Sequence, residues 1–339
     1  MAIQKFTVSR DENICHAWPD IVLTRSGKLI CVFSECVGHL DRSLERLMIC
    51  ESTDRGRSWT QKKPLTEKGE KTNFFNCPRI SRLDDDSLVI ICDKVQGILG
   101  RPETQTNEQY VWFGDAEGES WSEPVVLPFK GIVPDKFKRI SNHRIIVSAH
   151  TKNEHSGKLE QYLWYSDDNG KSWSDRVTVA SDPNYNLCEA SIIEVSENTL
   201  VALLRENSYC GYDIKKTISF DGGESWSAVY PTPLVAGHRP TAGYLKDGRV
   251  FVTYRFIPRG TSLGLFCSIL NKEELLKTDA DVYVRTMQLD HDRNPNPDGG
   301  YSGWVQFDDG EIYVVNYIKD DAQKSYIRGY SLYPEDMII

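Results

Sequence analysis

The feature that most constrains this chain is an octet that returns along it. Ser52-Thr53-Asp54-Arg55-Gly56-Arg57-Ser58-Trp59 recurs as Ser166-Asp167-Asp168-Asn169-Gly170-Lys171-Ser172-Trp173 and again as Ser219-Phe220-Asp221-Gly222-Gly223-Glu224-Ser225-Trp226. A degenerate copy ends at Gly118-Glu119-Ser120-Trp121, with its acid displaced to Asp115. The tryptophans at 59, 121, 173 and 226 stand 62, 52 and 53 residues apart. A repeat of that length is one supersecondary unit, which buries its apolar face only by stacking on its neighbours. Within the octet the aspartate accepts backbone N–H groups of a tight turn, the glycine supplies a left-handed conformation, and the tryptophan packs between layers. The aspartates are therefore structural.

Each repeat also carries a polar turn between two apolar runs of alternating pattern. Asp247-Gly248 and Asp309-Gly310 are the clearest, and Ser26-Gly27, Asp85-Asp86, Asn142-His143 and Glu197-Asn198 are equivalent. Such dipeptides between period-two runs mark hairpins. Six hairpins at this spacing predict six four-stranded blades: an all-β, six-bladed β-propeller filling residues 1–339 as a single domain. Ile3–Val8 is expected to pair with a C-terminal strand, and helix periodicity is confined to a turn near Asn271–Lys277.

Composition excludes several functions. The 49 acidic residues outnumber the 40 basic ones, for a formal charge of −9, and Lys and Arg are not clustered, so nucleic acid is not an expected partner. No run approaches the ~18 apolar residues of a membrane span, and the first residues lack a signal-peptide pattern. The nine cysteines show no CxxC pair or zinc-ligand spacing; reduced, buried thiols and a cytoplasmic location are expected. No cofactor motif is present. The oxygen-rich segment Asp290–Asp298 lacks the glycine of a calcium loop and holds two prolines, so a rigid rim loop is expected there and no metal.

The blade phase selects candidate functional residues independently of their chemistry. Nine residues before each turn stand Trp18, Cys77, approximately Pro134, Glu189, Arg239 and Tyr301; seven after it stand Ser34, Asp93, His150, Arg205, Arg255 and Tyr317. Equivalent positions in a radial repeat converge, which would gather an acid, a phenol and three arginines at one mouth.

The octet S-x-D-x-G-x-x-W is the Asp box, and the chain resembles the sialidase (neuraminidase) superfamily along nearly its whole length. Cys188-Glu189-Ala190-Ser191, continuing to Leu204-Arg205-Glu206, is similar to the strand pair that carries that family's catalytic glutamate and a substrate arginine. Gly300-Tyr301-Ser302-Gly303 is similar to its nucleophile segment, and Asp41, in the Glu35–Arg42 loop, stands where its acid/base aspartate does. The resemblance implies a retaining exo-glycosidase of a terminal acidic sugar, sialic acid or another 2-keto acid. A phenol approaches an anomeric carbon bearing a carboxylate more readily than a carboxylate would. Tyr301 would be nucleophile, Glu189 its base and Asp41 the proton donor. Arginines would clamp the substrate carboxylate, with Asp93, His150 and Trp18 lining the sugar site.

One departure bears on substrate. The family opens its first blade on Arg-Ile-Pro; here the segment is His16-Ala17-Trp18-Pro19, with Ala17 in the arginine's place. Arg239, Arg255 or Arg79 are the candidates to replace it. The same departure supports an alternative, a carbohydrate-binding propeller without turnover, and a scaffold that binds protein through one face is a third reading.

Overall fold

A computed structural model describes residues 3–258, 260–262, 264–279 and 281–337. They form six four-stranded antiparallel sheets and two short 3-10 turns, Lys272–Leu276 and Pro334–Met337. The fold is the expected all-β, six-bladed propeller. By contacts the chain divides into two compact units, one holding residues up to Pro134 and from His291 onward, the other Asp135–Asp290.

In the first unit, blade one runs through Cys15–Leu23, Leu29–Cys36, Arg46–Ser52 and Lys63–Pro64, and blade two through Asn73–Arg82, Leu88–Ile98, Arg101–Gly114 and Val125–Lys130. Blade six has Ser302–Gln306, Ile312–Ile318 and Tyr326–Leu332, and its outermost strand is the N-terminal Gln4–Ser9, antiparallel to Tyr326–Leu332. The expected pairing of the N-terminal segment is thus observed.

The second unit holds the other three blades. Blade three is Lys138–Arg139, Ile145–Lys152, Leu159–Ser166 and Val177–Ala180; blade four is Leu187–Ser196, Thr199–Glu206, Lys215–Ser219 and Tyr230–Pro231. Blade five is Gly237–Tyr244, Val250–Phe256, Gly264–Leu270 and Arg285–Asp290.

All six hairpin turns are where the sequence puts them. The second turn residue is left-handed in each: Gly27, Asp86, His143, Asn198, Gly248 and Gly310, with φ from 59° to 94°. The octets are built alike. Asp54 accepts Ser58 N at 2.9 Å and Ser52 Oγ–H at 2.8 Å, and Ser52 Oγ accepts Gly56 N at 2.8 Å. Asp168 and Asp221 repeat the pattern. In the degenerate copy Asp115 still accepts Ser120 N, at 2.8 Å. Gly56 has a second reason to be glycine: a Cβ there would come within 2.2 Å of the Tyr313 ring.

The innermost strands share a kink. A bulge interrupts the ladder between Ala17 and Asp20, Asn76 and Arg79, Cys188 and Ser191, and His238 and Thr241. At its start sits a non-glycine residue with positive φ: Trp18 (52°), Cys77 (46°), Glu189 (48°) and Arg239 (50°). Val133 (49°) is the blade-three counterpart, one residue before the expected Pro134, and in blade six the positive φ falls on Gly300, just before Tyr301. Proline follows Trp18, Cys77, Val133 and Arg239, which suits a point where the ladder needs no N–H. Each such residue costs ~1–3 kcal/mol, a strain that persists only where the surroundings enforce it.

What enforces it is a bond between neighbouring blades. Two residues past the strained position, an oxygen-bearing side chain accepts a backbone N–H of the next inner strand. In the first unit Asp20 accepts Ile80 N at 2.9 Å. In the second, Asp135 accepts Ile192 N at 2.9 Å and Ser191 accepts Ala242 N at 3.0 Å. Counted back from the turn, the blade-six residue matching Asp20 is Gly303, seven residues before Gly310, and a Cβ there would lie 2.1 Å from Asp20 Oδ1. Asp20 also faces Arg79 Nε at 3.4 Å, and both are buried.

Replacing Asp20 by Ala should cost about 3 kcal/mol or more, because it strands a buried guanidinium and an amide. Ser191→Ala, which removes a neutral acceptor, should cost about 1 kcal/mol. Urea unfolding of both variants measures the difference.

Candidate active site

The strained positions deliver side chains that a regular strand would point elsewhere. In the first unit Trp18 is buried, and the Arg42 guanidinium lies over its ring at 3.8 Å. Arg42 also reaches Glu45 with both Nε and Nη2, at 2.5 and 2.6 Å, and donates to Asn76. Asn76 Nδ2 in turn donates to Asp93 at 3.2 Å. Asp93 is wholly buried and also accepts Asn107 Nδ2 at 2.8 Å and Val133 N at 2.9 Å. Burial pushes the carboxyls of Glu45 and Asp93 above their ordinary range, and Arg42 pulls against it in both. Two buried acids around one guanidinium make a polar floor beneath Trp18.

On another side of Trp18 lie more aromatic and acidic groups. The His39 ring meets it edge-on at 5.3 Å, and Tyr317 packs on it at 5.9 Å. Tyr301, buried, meets Tyr317 edge-on at 6.3 Å. Asp298 Oδ1 contacts His39 Nδ1 at 3.1 Å and accepts Tyr317 O–H at 3.2 Å. In the loop bearing Asp298, Asp292 accepts backbone N–H groups of Asn294, Asp298, Lys319 and Asp320 at 2.8–3.1 Å. Among the described residues no His, Cys, Asp and Glu group could hold a metal ion.

Asp41 and Arg79, two further candidates of this unit, have local partners. Asp41 is exposed and accepts Ser43 N at 3.0 Å; its bonds to Ser43 hold its carboxyl below the usual range. Arg79 is turned toward Asp20 and the Ser302 carbonyl, 3.2 Å from Nη1. Ala17 is buried beside Trp18 and paired with Ser34.

The second unit gathers five sequence candidates. Glu189, 5% exposed, takes both oxygens to Arg205 Nη1 at 2.9 Å, and Arg205 Nη2 reaches the Tyr209 hydroxyl at 3.0 Å. Arg239 and Arg255 are buried as well. His150 feels the charges of Glu189, Arg205 and Arg239, and His238 those of Arg205, Arg255 and Glu189. The strand register explains the grouping, since Cys188 pairs with Arg205 and His238 with Arg255. Burial pushes His150 down to about 4 and His238 down to about 3, so both imidazoles are neutral at neutral pH.

The blade phase missed Arg42, Glu45, Asn76, His39, Asp298, Tyr209 and His238. Asn76 and His238 stand one residue before a strained position, a signal the repeat carries. The others lie on loops or outer strands, where the phase says nothing. Tyr301 stands in the first unit and Glu189 in the second.

Residues 88–314 match the family of the BNR repeat-like domain. The chain belongs to that family. With its Asp boxes and six blades it is a member of the sialidase superfamily. Over 142 residues it is 32% identical to the anhydrosialidase of Macrobdella decora, a segment that is 37% of this chain and only 17% of that protein. Among solved structures, a Dyadobacter fermentans protein of unknown function superposes with a TM-score of 0.81 at 22% identity, covering 98% of this chain and 99% of that one. The Hadza microbial sialidase Hz136 gives 0.72 at 15% identity, covering 99% and 69%. The NanB sialidase of Streptococcus pneumoniae gives 0.71 at 15%, covering 98% and 70%. These likenesses show the propeller fold.

The buried histidines give a pH dependence of folding. Their folded pKa values lie below the ~6.5 of free histidine, so stability is complete above pH ~6.5 and falls toward pH ~4 as the unfolded chain takes up protons. Each should contribute a loss of about 1.4 kcal/mol per pH unit in that window. Urea midpoints measured from pH 8 to 4 should show the decline, and a His150→Asn, His238→Asn double variant should flatten it.

Proposed function

We propose that this protein is a retaining exo-glycosidase of sialidase type, which removes a terminal acidic sugar through a covalent tyrosyl intermediate. The observation that carries the reading is Glu189. A nearly buried carboxylate has both oxygens fixed by Arg205, in a group with the buried Arg239, Arg255 and His150. Tyr301, displayed directly after the left-handed Gly300, is the nucleophile. A phenol has an ordinary pKa near ~10 and needs a base to attack, which Glu189 supplies. Arg205, Arg239 and Arg255 provide the positive field for the substrate carboxylate, and the neutral His150 and His238 offer ring nitrogens to sugar hydroxyls. The anhydrosialidase relative, and structural neighbours named as sialidases, support a sialidase-type substrate.

A second reading has its own observation. Ala17 stands where a sialidase carries an arginine, and the half-buried guanidinium over the neighbouring Trp18 ring, Arg42, is already paired with Glu45. A clamp altered in this way suits either an acidic sugar other than sialic acid or a propeller that binds sugar without cleaving it.

A panel of 4-methylumbelliferyl glycosides of sialic acid and other 2-keto acids separates the two. Turnover of at least one member is expected, with Tyr301→Phe lowering kcat by about a thousandfold or more. Hydrolysis by Tyr301→Phe at the wild-type rate would sink the tyrosine nucleophile. Saturable glycan binding without release from any member would favour the binding protein.

A further inference from the structure

We propose that the first unit holds a second binding site, a pocket for an apolar anion between the first-blade loop and the blade-two hairpin, and that this pocket receives the leaving group of the glycoside. The leaving-group role rests on the glycosidase reading above; the pocket itself does not.

The pocket lies between equivalent connections of two neighbouring blades. In blade one the second strand, Leu29–Cys36, passes to the third, Arg46–Ser52, through the loop 37–45. In blade two the same link is the tip of the hairpin Leu88–Ile98 and Arg101–Gly114, whose strands of 11 and 14 residues are the longest of the fold. The hairpin continues past Gln96, the register partner of Asn73 at the start of the inner strand.

Hydrogen bonds fix each wall. Thr104 Oγ1 accepts Ile98 N at 2.9 Å and donates to the Arg101 carbonyl at 2.8 Å, which pins the hairpin tip. In the facing loop Gly38 and Asp41 exchange backbone hydrogen bonds at 2.9 and 3.2 Å, and Val37 N donates to Ser43 O at 3.3 Å. The turn carrying Lys71 and Thr72 is closed by Glu70 and Asn73, at 2.8 and 3.1 Å, and Gly69 N ties it to the Glu45 carbonyl at 2.7 Å. A cavity of about 260 Å³ stays open between these segments.

The lining selects the ligand. Leu40, Phe74, Val95 and Ile98 supply apolar surface. Leu40 is 98% exposed and Ile98 56%, and apolar side chains gathered in the open around a concavity mark a binding groove. The charged lining residues are Arg42, Lys71 and Arg101, with no acid among them, in a chain of 49 acidic and 40 basic residues. Arg42 is committed to Glu45 and Asn76, so an incoming anion meets Lys71 and Arg101, both exposed. The volume lies below the ~300–1,000 Å³ of most ligand pockets and suits one ring system bearing a negative charge.

Position assigns the role. The sialidase resemblance makes Asp41 the proton donor, and a general acid stands within hydrogen-bond reach of the leaving oxygen. Leu40 adjoins Asp41 in the chain, and the Asp41 carboxylate feels the charge of Lys71. Arg42, on the pocket wall, lies over the rings of Trp18 and Phe74 at 3.8 and 5.3 Å. The group attached to that oxygen therefore extends among Leu40, Lys71 and the pocket.

Binding is tested by calorimetry with naphthalene-2-carboxylate and its uncharged counterpart naphthalene-2-methanol. The wild type, Lys71→Glu and Ile98→Ser are compared, with melting curves to verify folding. The wild type should bind the carboxylate saturably and the alcohol about fivefold more weakly. Lys71→Glu should weaken the carboxylate about fivefold and abolish the preference, whereas Ile98→Ser should weaken both probes about fivefold. No saturable binding of the carboxylate to the wild type, or undiminished binding to both variants, would overturn the pocket. The leaving-group role is read from KM on the methyl and the 6-carboxy-2-naphthyl glycosides of one acidic sugar. The wild type should favour the naphthyl glycoside about tenfold, and each variant should shrink that ratio. A ratio unchanged in both variants would overturn the role while the glycosidase stands. A wild type that binds the naphthalene carboxylate yet cleaves no glycoside would overturn the glycosidase reading and leave the pocket standing.

Discussion

The site depends on one hydrogen bond, repeated between neighbouring blades. In blades one, three and four a side-chain oxygen two residues past the strained position accepts an amide of the next inner strand, as Asp20 does for Ile80, Asp135 for Ile192 and Ser191 for Ala242. Without a fixed acceptor, the bulge would have no reason to persist against ~1–3 kcal/mol of strain. With it, the backbone turns at one point in each blade. Trp18, Glu189 and Arg239 are presented there at an angle a flat ladder does not give. Packing specificity is set by the same bond, since Gly303 must lack a side chain for Asp20 to fit.

Several charges removed from solvent in this molecule are paired. Arg42 is matched by Glu45, Arg79 by Asp20, and Arg205 by Glu189. Desolvating both partners offsets most of the attraction, so such pairs contribute little net stability while penalising any arrangement that separates them. Their effect is to hold functional groups in one geometry. The histidines follow a different rule: His150 and His238 stay neutral because burial, reinforced by nearby arginines, outweighs the attraction of Glu189.

The architecture was legible because turn chemistry is local. Six dipeptides and four tryptophans are enough to count blades, and each left-handed turn residue stands where its dipeptide does. The phase of the repeat also carried over to the second unit, where register pairs Cys188 with Arg205 and His238 with Arg255. It slipped by a residue at Val133 and at Gly300, because the interval between bulge and turn is not identical in every blade. Loop residues were not legible. His39, Arg42 and Asp298 have no repeat to place them, and their positions follow from long-range contacts such as His39 with Asp298. Asp41 follows from the resemblance alone, and the structure adds that it accepts Ser43 N.

Ala17 then has a physical consequence beyond a missing cation. An arginine at that buried position would need a counter-charge, and the first unit has spent its nearby acids: Glu45 on Arg42, Asp20 on Arg79, and Asp93 on Asn76, Asn107 and Val133. Next to Ala17, the strained Trp18 carries the Arg42 guanidinium over its indole, and Glu45 holds that guanidinium through Nε and Nη2. The positive charge is kept but its donor fork is largely occupied, so it can act through its field more than through direct bonds. Around Trp18 the first unit thus presents aromatic rings, His39 and Tyr317, and one guanidinium whose donors are already engaged.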